Sequence, residues 1–198
     1  MNRRSSTLPG WSRYRSKHLQ KYSEARQRGA IDAPIVPLLD LINANPRYVT
    51  TSSCSGRVVL LATSRREKKG DSFFYGKWHR PIMFDEVWPL VESFRGELLW
   101  FKVDPFILHV GADSLGAALR IITLARSAGI KIAGIQSVDT EKYHVEIRGI
   151  DSMAAPLYDG ELLVNERYVA RLVRLANRKM VRNAQRIARF FDAVSTGL

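Results

Sequence analysis

Six consecutive small side chains carrying a hydroxyl or thiol, Thr50-Thr51-Ser52-Ser53-Cys54-Ser55, run into Gly56 and Arg57 between two segments rich in β-branched residues. Short polar side chains let a backbone approach a ligand closely, and glycine opens dihedrals that other residues resist, so the row suits a pocket closing on a polar molecule. Without a ligand the same row reads as a serine-rich turn joining two strands. A second group, Gly76-Lys77-Trp78-His79-Arg80, places two cations, an indole and an imidazole within five positions. An indole can stack on a base or cover a cation, and an imidazole titrates near neutral pH. The plainer alternative is a strand whose Trp78 fills the core. A third stretch, Phe101-Lys102-Val103-Asp104-Pro105-Phe106-Ile107-Leu108-His109-Val110, sets His109 in an apolar strand, where histidine is more often a packed core residue.

Other chemistries are poorly served. One cysteine and four scattered histidines (His18, His79, His109, His144) do not offer the paired spacing of a zinc site, and no metal is expected. The chain lacks a Walker loop and a Gly-x-Gly-x-x-Gly fingerprint. Gly111-Ala112-Asp113-Ser114-Leu115-Gly116 lies between an expected strand and helix, where anions dock, but Asp113 reads more simply as a helix cap. A hydrolase using Cys54 with His79 or His109 is conceivable, yet the flanking residues match no nucleophile signature.

The elements that must hold these residues follow from periodicity and breakers. Residues 1–10 are expected to be disordered and 11–198 to form one α+β domain. Helices are expected at 11–28, stopped by Gly29; at 34–45, with Pro34 in the first turn and Asn45-Pro46 as the break; at 85–95, capped by Asp85; and at 114–128, stopped by Gly129. Strands are expected at 47–51, 57–64, 98–103 and 106–110, a hairpin at 130–138 with 143–150, and a short strand at 162–164. Residues 65–77 read as a basic loop or hairpin tip. Hairpins set between helices argue against a doubly wound parallel sheet and for a mixed, largely antiparallel sheet flanked by helices, with a long basic helix at the C-terminus.

The charge is placed unevenly. Of the net +12, residues 1–28 carry eight Lys/Arg against one acid, and residues 165–198 eight against two; the middle holds 15 basic and 16 acidic residues. A neutral body with two basic arms points to a polyanion laid across both ends. In the first arm Trp11, Tyr14, His18, Tyr22 and Ala25 make an apolar stripe beside Arg13, Lys17 and Lys21. In the last, Tyr168, Leu172, Ala176, Met180, Ala184, Ile187, Phe191 and Val194 form the apolar face. Seven arginines run alongside it, Arg174, Arg178 and Arg182 among them. Such a stripe could be a solvated helix face, but guanidinium grips phosphate with paired donors, and few acids neutralise it. The expected partner is RNA, not a membrane, and no apolar run approaches the roughly 20 residues that span a bilayer. The single cysteine suits a reducing compartment, with cytoplasm as the default.

Together these stretches resemble the tRNA wybutosine-synthesizing protein 3 family. The resemblance extends over about residues 20–190, from Gly29-Ala30-Ile31-Asp32 and Leu41-Ile42-Asn43 through the serine row, Lys77-Trp78-His79 and residues 101–110, to Ala133-Gly134-Ile135, Pro156, Tyr168 and Ala176-Asn177-Arg178-Lys179-Met180. Upstream of Gly29 the chain departs from it: Glu24-Ala25-Arg26-Gln27-Arg28 stands where the family commonly has acid-x-Ser-x-Lys. The resemblance implies a methyltransferase that uses S-adenosylmethionine on N-4 of a demethylwyosine-type tricyclic guanosine beside the anticodon of phenylalanine tRNA. For that reaction, in which N-4 must lose a proton, His79 is the candidate base, with Asp32 as its orienter or an alternative base. Ser53, Ser55, Gly56 and His109 are candidates for the donor, the first three equally for the tricyclic base; Arg57 and Lys77 would pair with a carboxylate or a phosphate, Trp78 would stack on the base, and Arg174, Arg178 and Arg182 would meet the tRNA. Two other readings stay open at this point: a non-catalytic RNA-binding module, which would bind no S-adenosylmethionine, and the Cys54 hydrolase.

Overall fold

Along the chain the elements are α1 (Trp11–Gln27), α2 (Val36–Ala44), β1 (Tyr48–Cys54), β2 (Arg57–Thr63), β3 (Phe73–Trp78), α3 (Phe84–Ser93), β4 (Leu98–Asp104), β5 (Ile107–Ala112), α4 (Leu115–Ser127), β6 (Ile132–Val138), β7 (Tyr143–Arg148), β8 (Met153–Asp159) and α5 (Glu166–Gly197). The computed structural model describes residues 8–66 and 70–198. Residues 1–7 of the segment expected to be disordered lie outside the described residues, as do Lys68 and Lys69 of the expected basic loop. Every pairing between these strands is antiparallel, and the strands form two four-stranded sheets, β1-β5-β7-β6 and β3-β2-β4-β8. The α+β class, the antiparallel pairing and the long basic terminal helix match expectation. No helix among the described residues is long and apolar enough to cross a membrane.

The chain divides into two compact units. The first takes the described residues up to Ser55, Phe106–Ile150 and Ala184–Leu198; the second takes Gly56–Pro105 and Asp151–Asn183. In the first, one face of β1-β5-β7-β6 presents Leu108, Val110, Ala112, Val145 and Ile147 to α2, α4 and the last turns of α5. The helix α4 earns its place by Ala117, Ala118, Ile121, Ile122 and Ala125, all buried at spacings of one, three and four. The other face carries α1, whose Trp11 and Tyr14 pack with Val49. Gly111 makes that approach possible: a Cβ there would stand 2.8 Å from the Tyr14 ring. In the second unit, Val58, Leu60, Ala62, Leu99, Phe101, Val103, Ala155 and Leu157 pack under α3 and the first turns of α5.

Local details differ from the sequence reading for physical reasons. Part of the expected loop is the edge strand β3, where a bulge near Tyr75 hides the alternation. Residues 153–159, whose Pro156 argues against a strand interior, are the edge strand β8, where an edge tolerates it; residues 162–164 supply a bridge from Leu162 to Tyr158. The cap of α3 is Met83, whose amide donates to Glu86 at 2.9 Å, not Asp85. Ser114 caps α4, accepting from the Ala117 amide at 3.3 Å, while Asp113 pairs with Arg47. On α5 the buried stripe is rotated toward Val169, Val173 and Phe190, and Tyr168 is exposed.

Candidate functional site

The serine row does line a cavity. About 300 Å³ of space in the first unit is bounded by Thr50, Thr51, Ser52 and Ser53 of β1, by His18, Lys21, Tyr22 and Ala25 of α1, by Ala30 and Ile31, and by Leu39 of α2. Because β1 is the edge of its sheet, residues from both of its faces reach this space. A bulge between Thr50 and Ser52 produces that mixture. Thr50 pairs with Val110 and turns to α2, where the Asn43 side chain accepts from its amide at 2.8 Å and donates to its hydroxyl at 2.9 Å. Beyond the extra residue Thr51, Ser52 pairs with His109. The α1 wall is held by Arg15, which donates to the carbonyls of Asn43 (2.7 Å) and Tyr48 (3.1 Å), and by the Trp11 indole on the Pro46 carbonyl at 3.1 Å. The Tyr22 hydroxyl donates to Asp40 at 2.7 Å, and burial followed by that hydrogen bond pushes its pKa up to about 12. Arg26 shares the same carboxylate.

A polar ladder crosses the sheet from this cavity. The Ser52 hydroxyl and His109 Nδ1 lie 2.8 Å apart, and His109 Nε2 lies 3.1 Å from Glu146 Oε2. A carboxylate on Nε2 fixes the proton there in the neutral ring, so Nδ1 accepts from Ser52 and the Ser52 lone pairs are left for the cavity. His144 stacks on His109 with centroids 5.0 Å apart and 27° between planes. Its Nδ1 is buried without a hydrogen-bond partner among the described residues. Burial, His109 and Lys142 hold the His144 pKa below the ordinary histidine value. The pKa of His18, whose ring is tilted at 47° to that of Tyr14 with centroids 4.4 Å apart, is lowered likewise, first by burial and then by Lys21 and Lys17. Asp32 accepts the Ser55 amide at 2.7 Å and so closes the loop after β1.

The remaining sequence candidates belong to the second unit. Gly56 takes a φ of +96°, which the chain's turn into β2 requires of a residue without Cβ. Arg57 pairs with Asp104 at 2.9 Å and lies over the Phe74 ring at 4.6 Å; the Lys77 ammonium lies 5.6 Å from the same ring. The Trp78 ring lies across Gly76 and packs on the core beside Leu90. His79 follows β3 in a bend and is half-buried. Arg174 and Arg178 line a depression with Arg171 and Asn177, and Arg182 is exposed one turn on. The arginine stripe is not all available to a ligand: Arg186 donates to the Gly129 carbonyl at 2.9 Å and Arg189 to that of Ala128 at 3.4 Å, capping the end of α4.

Within the first unit, then, Ser53, Asp32, Ser55 and His109 gather around one edge strand. Sequence reasoning missed His18, Lys21 and Tyr22 as cavity walls, and Glu146 and His144 as the partners of His109. Their spacing held a signal: 18, 21, 22 and 25 share one helix face, and 144 and 146 share one face of a strand.

Known proteins show the family and the fold. A family model described as Methyltransferase TYW3 matches residues 13–196. A tRNA(Phe) 7-((3-amino-3-carboxypropyl)-4-demethylwyosine(37)-N(4))-methyltransferase 1 of Thermococcus kodakarensis is 39% identical over 181 residues, 91% of this chain and 91% of that protein. The tRNA wybutosine-synthesizing protein 3 homolog of Mus musculus is 31% identical over 193 residues, 95% of this chain and 74% of the mouse protein. The solved structure of PH1069 protein from Pyrococcus horikoshii superposes with a TM-score of 0.88 at 35% identity, covering 92% of this chain and 95% of that one. With a match that runs almost end to end, the chain belongs to the Methyltransferase TYW3 family.

Proposed function

We propose that this chain methylates N-4 of a 4-demethylwyosine-type base at position 37 of phenylalanine tRNA, the reaction for which its archaeal relatives are named, with S-adenosylmethionine as donor, in the cytoplasm. The observation that carries the reading is the cavity beside β1: hydroxyls, a lysine and two rings bound a space whose residues can hold a small polar molecule with an apolar body. Lys21 supplies a cation for a carboxylate, Ser52 and Ser53 supply acceptors and donors, and Tyr22 supplies a ring face. This set fits the donor's amino-acid, ribose and adenine groups. When bound, S-adenosylmethionine brings a methyl already activated on a sulfonium, so the protein's work is alignment and proton handling. His79 is proposed to take the proton that N-4 loses, with Asp32 the alternative. Arg57, Lys77, Arg174, Arg178 and Arg182 are proposed to hold the tRNA backbone.

Calorimetric titration with S-adenosylmethionine tests the first half. Saturable binding is expected, and its absence would return the chain to the RNA-binding alternative. Methyl transfer to tRNA from cells lacking this step tests the second half.

A further inference from the structure

The sheet β3-β2-β4-β8 has one face under helices; its other face is ordered in rows, exposed on the edge strands at Phe74, Lys77, Ala154 and Pro156, half-buried at Leu61, Trp100 and Lys102, and buried at Val59. Leu61 lies opposite Phe74 on one side and Trp100 on the other, and Trp100 opposite Pro156, so aromatic and apolar groups form a row across all four strands. In the next row Val59 lies opposite Lys77 and Lys102, and Lys102 opposite Ala154. Residues two apart on a strand share a face, with rows roughly 6.6 Å apart. The carboxylates at the margins, Asp104 and Asp159, are ion-paired with Arg57 and Arg65. Phe74 is 44% exposed although Arg57 and Lys77 flank its ring. Around Trp100 a hollow of about 270 Å³ is bounded by Leu61, Thr63, Ser72, Trp100, Lys102 and Ala154.

From this arrangement we infer that this face of β3-β2-β4-β8 is a platform for unpaired nucleotides of the RNA substrate, with Phe74 and Trp100 stacking bases and Lys77 and Lys102 meeting the phosphates between them. The inference rests on the proposed function only for the identity of the polyanion. Aromatic rings interleaved with cations on a sheet face, Phe74 exposed and Trp100 half-buried, are what a single strand needs, because every base has a π-face and every linkage a charge. A paired stem hides its bases and has no use for Phe74. The terminal arginines, set on a helix, offer charge without a stacking surface and so complement this face rather than duplicate it.

The test compares binding of two RNA probes to the full chain: a hairpin with an unpaired loop, and the same stem closed as a blunt duplex. Phe74→Ala is expected to weaken binding of the looped probe about 5- to 100-fold and to leave the blunt duplex unchanged, whereas Phe74→Tyr retains the affinity. Lys102→Ala is expected to weaken both probes and to lower the slope of log affinity against log salt by about one. A folded Phe74→Ala protein that binds the looped probe as tightly as wild type would overturn the platform while leaving methyl transfer by the wild type intact. Failure of the wild-type chain to hold either RNA would overturn the platform and the function together.

Discussion

Gly111→Ala puts the link between sheet packing and the cavity to a sharp test. The new methyl would sit 2.8 Å from Cε1 of Tyr14, 3.4 Å from Val49 and 3.5 Å from the Trp11 ring, all in a buried cluster. Tyr14 has little room to yield, with the tilted His18 ring 4.4 Å away between centroids and the Lys142 ammonium 5.1 Å from its ring centre. The strain therefore falls on α1 as a body. Overpacking of this kind costs about 1–3 kcal/mol, which for a chain of this length lowers the melting midpoint by about 2–12 °C. Because α1 carries His18, Lys21, Tyr22 and Ala25 into the cavity wall, displacing it also weakens donor binding, although Gly111 itself does not line the space. Thermal melts and calorimetric titration with S-adenosylmethionine read the two effects. Adding Tyr14→Leu removes the clashing edge, so the double variant should be less destabilised than the sum of its parts. A Gly111→Ala protein with unchanged midpoint and unchanged donor affinity would show that α1 does not depend on that close approach.

Other perturbations follow from the same geometry. Asn43→Ala strips the Thr50 amide and hydroxyl of their partner in a buried spot, costing about 1–3 kcal/mol in a denaturant melt; an unchanged midpoint would mean another group satisfies the edge. Lys21→Met should weaken S-adenosylmethionine about 5-fold by calorimetry, as expected of one exposed ion pair worth about 1 kcal/mol, and equal affinity would remove Lys21 from the donor's carboxylate. His79→Ala should slow methyl transfer with little change in tRNA affinity, and a variant of equal rate would exclude His79 as the base. For acid stability the sign comes from His18 and His144, both held below the ordinary value of 6.5 by burial and by neighbouring Lys17, Lys21, Lys142 and His109, with Glu146 and Asp139 opposing only at His144. The folded state then binds fewer protons than the unfolded one below about pH 6.5, so stability is full above that pH and falls as the solution is acidified through the lowered values. Glu86, pulled down to about 2, and Asp139 act the same way only below their own ordinary range near 4. Melts between pH 7.5 and 5.5 should thus show a falling midpoint that His144→Phe makes shallower, and an identical slope in that variant would refute the assignment.

What local pattern could reveal, it did. The helix α4, the hairpin of β6 and β7, and a ligand-sized hollow at the serine row follow from spacing, breakers and the density of small polar side chains. What it could not reveal is which strand pairs with which. The chain leaves the first unit after Ser55, returns at Phe106, and leaves and returns again around 151 and 184, so β1 pairs with β5 and β2 with β4 across about 50 residues. No window of a dozen residues contains that information. Two edge strands were lost for a related reason: a bulge in β3 and a proline in β8 break the alternation that marks a strand, and edges tolerate both.

The sharper lesson concerns periodicity on α1. Tyr14, His18 and Tyr22 recur as core positions should, and Tyr14 is one. Yet the same stripe, one and two turns on, borders a cavity, because β1 is the last strand of its sheet and α1, residues 30–31 and Leu39 of α2 leave a space beside its edge. A 3.6-residue repeat says that a face is turned inward; it does not say whether side chains or a ligand meet it there. The discriminating sign was compositional. His18 and Tyr22 each carry a polar tip, and Lys21 lies between them, whereas a stripe committed to packing, such as Ala118, Ile121, Ile122 and Ala125 on α4, carries none. By the same argument the face of β3-β2-β4-β8 turned away from its helices, where a row with Phe74 and Trp100 is followed by one with Lys77 and Lys102, carries the composition of the proposed RNA platform and not of a packed stripe.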